Sequence, residues 1–325
     1  MEECEFGTSG LRTSAIGFGT WPIGGTYVKE GYGGVDDAEA IRAIRHALDL
    51  GVTCFDTAPA YGLGRAERLL GQALGPRRQD VAVVTKCGIP FIPEERRFGR
   101  DATYDHILAE VEQSLRNLGT DYVDLILIHW PDVKTPAEET MRALNHLRES
   151  GKARYVGVSN FSPEQMAACL EHGPLHAEQV GYNLFDRRRE AETFPFCREH
   201  GIGVMAYGPL AHGLLTGAFT ADTTFGEQDW RASGSAFGLP IFAPDNLARN
   251  VAVVDRLRAF AAERGRTVAQ LALAWALHEP AVSVALVGAR TAAEIETALP
   301  AANWKLTDAD LAEIAALMAG AAGNA

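Results

Sequence analysis

Asp56, Tyr61, Lys86 and His129 are the side chains of this sequence whose types combine into a proton relay. Asp56 closes the apolar run "VTCFD", and Tyr61 lies five residues on, in the Gly- and Pro-containing loop "TAPAYGLG". Lys86 ends "VAVVTK" and His129 ends "VDLILIH". A free phenol titrates near pH ~10 and is a poor proton donor or acceptor at neutral pH, but an adjacent ammonium brings that value down. Lys86 can supply the ammonium, a carboxylate at Asp56 would keep it protonated and fixed, and His129 can donate a hydrogen bond to a substrate oxygen. Together they suit giving a proton to, or taking one from, an oxygen whose carbon exchanges a hydride, as in carbonyl reduction. None of them carries hydride, so a cofactor must bring it. Each residue alone is compatible with a structural role; four at matching positions are harder to explain that way.

Those positions depend on the elements beneath them. Eight β-rich segments recur, at 15–21, 52–58, 81–87, 123–130, 153–160, 177–184, 202–210 and 283–290, several of them continuous apolar runs of the kind parallel strands show when both faces are covered. Helical patterns lie between them. In "DDAEAIRAIRHALDLG" (36–51), Ile41, Ile44, Ala47 and Leu48 form one stripe between an Asp cap and Gly51. "TPAEETMRALNHLRESG" (135–151) repeats the design. This alternation predicts an α/β fold, a (β/α)8 TIM barrel occupying residues 1–325 as a single domain. Asp56, Lys86 and His129 then end strands two, three and four at the C-terminal mouth, where barrel active sites are built. Two segments fall outside the repeat: "CEFGTSGLRTSAI" reads as an N-terminal β-hairpin plugging the barrel floor, and 214–246 is a long loop between strands seven and eight, placed over the site as a lid.

With 325 residues, 47% of them hydrophobic and 22% charged, the chain can bury a large core. It has no apolar run near the ~18 residues of a membrane span, and its first residues lack a signal-peptide pattern, which predicts a cytoplasmic protein without membrane partners. The formal net charge of −12 argues against a nucleic-acid surface. Five scattered cysteines (Cys4, Cys54, Cys87, Cys169, Cys197) predict neither disulfides nor a zinc site, and Cys54 and Cys87 read as inert buried thiols. "DRRRE" (186–190), three arginines bracketed by acids, reads as a solvated helix start.

The ordered segments "GTW", "FDTAPAYGLGRAE", "TKCG", "LGTDYVDLILIHWPD", "GKARYVGVSNF", "EQVGYNLFDR", "AYGPLAHGLLTG" and "VGART" together resemble the aldo-keto reductase superfamily, most closely a bacterial branch of NADPH-dependent reductases. The resemblance identifies Asp56, Tyr61, Lys86 and His129 with that family's catalytic tetrad. It implies an NAD(P)H cofactor: Ser159, Asn160 and Gln179 at the nicotinamide carboxamide, Tyr207 stacked on its ring, and Pro209, Leu210 and Gly213 along the pyrophosphate. Trp21, Gly288, Arg290 and Glu294 complete the cofactor set. Trp21 and Trp130 would line an apolar pocket for a small carbonyl substrate, with Phe91 or Phe225 nearby. The sequence departs from the family pattern at Glu294, Thr297 and Ala298, where Arg or Gln and then Glu-Asn are common, and at Gly208, where Ser is usual. Arg290 could pair with a 2′-phosphate while Glu294 repels it or accepts from a free ribose hydroxyl, so NADPH is expected first and NADH stays possible. A monomer or small homo-oligomer is expected. The alternative function is a nucleotide-sensing binding protein resembling potassium-channel β subunits. A metal-dependent hydrolase is disfavoured, because only one strand-end His is evident.

Overall fold

The computed structural model describes residues 3–25, 34–227 and 229–322, so Gln228 of the predicted lid lies outside the described residues. Eight parallel strands close into a barrel in chain order: β1 (Ile16–Gly19), β2 (Cys54–Asp56), β3 (Ala82–Cys87), β4 (Val123–Ile128), β5 (Ala153–Ser159), β6 (Ala177–Gly181), β7 (Gly203–Tyr207) and β8 (Val282–Gly288). β5 pairs with β6 and β8 with β1, which leaves the sheet no edge. The expected (β/α)8 barrel is therefore observed.

The strands are shorter than their apolar runs predicted, mostly at their C-terminal ends. Ala58, Tyr182 and Leu184 extend the apolar pattern past β2 and β6 and are buried, although they no longer belong to a strand. Burial by the surrounding loops keeps these positions apolar after the ladder has ended.

Helix α1 (Asp37–Asp49) shows how the outer layer forms. The Asp36 carboxylate accepts from the Glu39 N–H at 3.1 Å, satisfying an orphan donor of the first turn, while Ala40, Ala43, Ile44, Ala47 and Leu48 are buried against the sheet. The segment 186–190 departs from expectation: it is a turn, closed by the pairs Arg188–Asp186 and Arg187–Glu190, both at 2.8 Å, and the next helix starts only at Thr193. The backbone here is committed elsewhere: Asn183 and Asp186 form a bridge, and the Glu190 N–H donates to the Arg187 carbonyl at 3.1 Å, closing a turn in place of a helix.

The barrel interior follows from period-two geometry. Cys54, Val84, Leu125, Leu127, Ala177, Met205, Val284 and Leu286 form one buried cluster, while their strand neighbours face the helices. Phe6, fully buried, joins this cluster from the N-terminal hairpin formed by Glu3–Glu5 and Arg12–Ser14. Its backbone lies against Gly203 at the start of β7, so the hairpin closes the floor as predicted. Among the described residues no helix is long and apolar enough to cross a membrane.

Candidate active site

Moving two residues toward the C-terminus from each interior position keeps the side chain pointing into the barrel and raises it one layer. From Cys54 this step reaches Asp56, from Val84 Lys86, from Leu127 His129, from Gly157 Ser159, from Ala177 Gln179 and from Met205 Tyr207; on β1 and β8 it reaches Gly19 and Gly288. One ring of residues, one from each strand, thus forms the barrel mouth. The glycines of β1 and β8 leave that side low, and the cleft runs out over it.

The cleft has a volume of about 780 Å³, within the range of small-molecule and cofactor sites. One end is lined by Trp21, Asp56, Tyr61, Phe98, His129 and Trp130, the middle by Ser159, Asn160, Gln179 and Tyr207, and the far end by Gly288, Arg290 and Glu294. Pro209, Leu210 and Gly213 border it as well. The expected site residues line this one cavity except Lys86, which is fully buried beneath it, and Phe91 and Phe225, which lie outside its lining.

Lys86 Nζ donates to Asp56 Oδ1 at 2.7 Å, to Asp56 Oδ2 at 2.8 Å and to the Thr57 carbonyl at 2.9 Å. An ammonium has three N–H donors, and all three are used. Its nitrogen lies 5.0 Å from the centroid of the Tyr61 ring. The expected lowering of the phenol is not found: burial, and then the Asp56 charge, push Tyr61 well above the ordinary phenol value. The physical reason is that taking the ring out of water disfavours the phenolate, and the Asp56 carboxylate adds to that effect. Burial also pulls Lys86 below the usual lysine range, opposed by Asp56. His129 meets the Tyr61 ring edge-on at 5.8 Å. Burial, and then the charges of Lys86 and Arg100, hold His129 well below the ordinary imidazole value, so it is neutral at pH 7. Its Nδ1 is buried without a hydrogen-bond partner.

The middle of the cleft is a connected polar network. Gln179 Nε2 donates to Asp56 Oδ2 at 2.7 Å, giving the carboxylate a second anchor that the sequence did not indicate. Ser159 donates to the Gln179 carbonyl at 2.8 Å, Asn160 Nδ2 donates to Ser159 Oγ at 3.0 Å, and the Tyr207 hydroxyl donates to Asn160 Oδ1 at 2.9 Å. Asn160 sits at φ +64°, a left-handed conformation that Asn tolerates better than most residues. The Tyr207 ring lies against Gly181, where an added Cβ would come within 3.3 Å of ring atoms.

Sequence reasoning missed His212, Arg231, Phe98 and Phe237. Phe98 rather than Phe91, and Phe237 rather than Phe225, line the cleft; Phe225 packs instead on Phe219 and Phe242 at 5.5 and 5.3 Å. A side chain's choice between two neighbouring walls is set by tertiary packing, and composition carries no trace of it. His212 explains one of the departures noted in the sequence. Gly208 has φ +61°, and a Cβ there would lie 2.8 Å from the His212 ring, so the imidazole fills the place of a side chain at 208. Burial, and then Arg231, depress His212 to about 4, so this ring too is neutral. Gly208→Ser is expected to displace His212 and weaken nicotinamide-cofactor binding about tenfold; an unchanged dissociation constant in a fluorescence titration would show that the imidazole does not shape the cleft.

The lid has the expected place. Trp230 stacks on Trp21 at 5.7 Å, and Arg231, held by Asp229 at 2.6 Å, borders the cleft. Cys54 and Cys87 are fully buried, and burial drives both thiols up.

A model of the aldo/keto reductase family matches residues 15–319. The chain belongs to the aldo-keto reductase family. It is 39% identical over 317 residues to the aldo-keto reductase YhdN of Bacillus subtilis, covering 97% of this chain and 92% of that protein. It is 34% identical to the NADH-specific methylglyoxal reductase of Escherichia coli, covering 95% of this chain and 96% of that one. Among solved structures, the glycerol dehydrogenase AKR11B4 from Gluconobacter oxydans superposes with a TM-score of 0.90 at 37% identity, covering 99% of this chain and 97% of that one. This aldo-keto reductase is accordingly an oxidoreductase of carbonyl chemistry that uses a nicotinamide cofactor. The residues of the cleft fit such a group: an extended cavity, an aromatic face at Tyr207, a buried unpartnered Nδ1 at His129 and a cation at Arg290.

Proposed function

We propose that the protein reduces an aldehyde or ketone to the alcohol with NADPH, accepting NADH less readily, and that Tyr61 is the proton donor. The observation that carries this reading is the Asp56–Lys86–Tyr61–His129 group, gathered at a cleft of about 780 Å³ whose lining also includes Tyr207 and Arg290. When bound, the nicotinamide supplies the hydride to the carbonyl carbon. Tyr61 gives its proton to the carbonyl oxygen as negative charge develops there. The transfer is downhill even from a phenol pushed up by burial, because an alkoxide is a much stronger base than a phenolate. Lys86 then balances the phenolate charge from beneath the ring, while Asp56, anchored by Gln179, keeps the ammonium in place. His129, neutral, donates a hydrogen bond that orients and polarises the carbonyl.

The neutral state of His129 has a consequence for the pH profile. The kcat/KM for reduction is expected to show no inflection near the ordinary imidazole value of about 6.5, and to fall only at alkaline pH as Tyr61 loses its proton. An inflection near that value that disappears in His129→Gln would contradict the assignment.

Cofactor preference turns on Arg290 and Glu294. The Glu294 carboxylate accepts from the Arg290 backbone N–H at 2.7 Å and lies 3.5 Å from its guanidinium. Arg290 favours the phosphorylated dinucleotide and Glu294 opposes it. Two like charges ~4 Å apart in water cost about 1 kcal/mol, so Glu294→Gln should raise the affinity for NADPH relative to NADH fivefold or more. An unchanged ratio of dissociation constants would remove Glu294 from the preference. The wide scatter of the cysteines, with Cys54, Cys87, Cys169 and Cys197 buried, supports a reducing, cytoplasmic setting.

The test is NADPH oxidation by the purified protein over a panel of aldehydes and ketones, with cofactor binding measured alongside. Turnover supports the reductase. Tight NADPH binding without turnover on the whole panel would overturn it in favour of a nucleotide-sensing protein.

A further inference from the structure

Phe237 is held in a conformation that its own residue type disfavours. Ala236 and Leu239 exchange two backbone hydrogen bonds, the Ala236 N–H donating to Leu239 O at 2.8 Å and the Leu239 N–H to Ala236 O at 2.9 Å. Phe237 and Gly238 are therefore the two central residues of a tight hairpin, with φ of +48° and +87°. Positive φ at both positions is the type I′ turn, which Asn-Gly and Gly-Gly adopt readily and which strains an aromatic residue at its first position. The hairpin itself gains nothing from a phenyl ring. It is also pinned from outside: Arg188, gripped by both oxygens of Asp186 at 2.8 Å, donates to the Phe237 carbonyl at 3.3 Å.

The ring accounts for the strain. Phe237 is 38% exposed, yet it lines the cleft and lies among five other rings. It stacks on Trp130 at 6.4 Å with 18° between planes, and contacts Trp21 at 6.3 Å, Tyr207 at 5.4 Å, His212 at 5.2 Å and Trp230 at 5.9 Å. Trp21 in turn stacks on Tyr61 at 6.4 Å. The turn thus delivers one phenyl ring into the aromatic end of the cleft, beside the group that handles the proton.

We infer that Phe237 is a specificity-determining residue: its ring fills the aryl-sized slot against Trp130, so the site takes carbonyls with slender, short-chain substituents and rejects aryl ketones. The inference rests on the carbonyl-reductase reading. It differs from a general lid because it assigns the size limit to one side chain, whose removal opens space flanked by Trp130 and Trp21. An aromatic substituent of the substrate would then stack where the phenyl ring had been.

The test uses Phe237→Asn, because Asn tolerates the left-handed position and keeps the turn while removing the ring. Phe237→Leu serves as an intermediate in size, and unfolding curves establish that each variant is folded. With NADPH present, the ratio of kcat/KM for propiophenone to that for propionaldehyde is expected to rise tenfold or more in Phe237→Asn, and less in Phe237→Leu. A ratio within twofold of wild type would overturn the inference. Binding separates this from the underlying reading: benzyl alcohol, followed by quenching of tryptophan fluorescence in the NADP+-loaded protein, should bind about tenfold more tightly to Phe237→Asn. Tighter binding without turnover by any form would uphold the wall and sink the reductase reading. Turnover of propionaldehyde with unchanged binding of benzyl alcohol would do the reverse.

Discussion

Tyr61→Phe is expected to lose turnover by about 100-fold or more while binding NADPH like the wild type, the scale of loss when a positioned general acid is removed. The substitution deletes one oxygen from a half-buried ring whose packing is otherwise kept, against Trp21 at 6.4 Å and His129 at 5.8 Å. The cleft walls toward Tyr207 and Arg290 are untouched, so cofactor affinity is a control as well as a result. A kcat within threefold of wild type would show that another group or a water supplies the proton. Equal falls in kcat and cofactor affinity would mean that the cleft itself had been disturbed.

Lys86→Met should damage both folding and catalysis, and a second variant separates the two. Breaking a buried ion pair by removing one partner typically costs about 3–5 kcal/mol, because the remaining charge is left without compensation. Here Asp56, 3% exposed, would retain the Gln179 amide at 2.7 Å as its remaining side-chain donor. The double variant Asp56→Leu/Lys86→Met removes both charges and is expected to recover most of the lost stability in urea unfolding while staying inactive. If Lys86→Met unfolds at the wild-type urea concentration, the pair is not the structural anchor described. If the double variant turns over at the wild-type rate, the ammonium has no part in the chemistry.

What could be read from the sequence, and what could not, divides along a physical line. Period-two alternation fixes which strand residues point inward, and a strand's end fixes the layer, so Asp56, Lys86 and His129 could be placed at one mouth from local pattern alone. The hairpin floor was legible for the same reason, since Phe6 sits in an apolar and turn-forming context of short range. Partner choice was not legible. Nothing local says that the Lys86 donors are all taken by Asp56 and Thr57, or that the Gln179 amide reaches Asp56, 123 residues away in sequence. The direction in which Tyr61 is pushed follows first from burial and then from the Asp56 charge, and so the lowering expected from Lys86 gave way to them. The lid residue at the cleft, Phe237, was hidden by a turn conformation that its residue type does not advertise.

The central claim is that hydride passes from a nicotinamide to a carbonyl carbon at this cleft, and isotope transfer tests it most directly. Purified protein would be incubated with propionaldehyde and NADPH deuterated at C4, using each of the two stereospecifically labelled forms, and the alcohol examined for deuterium. The account predicts deuterium on the carbinol carbon from one labelled form and none from the other. Alcohol formed without deuterium from either form would contradict it, as would saturating cofactor binding with no alcohol formed.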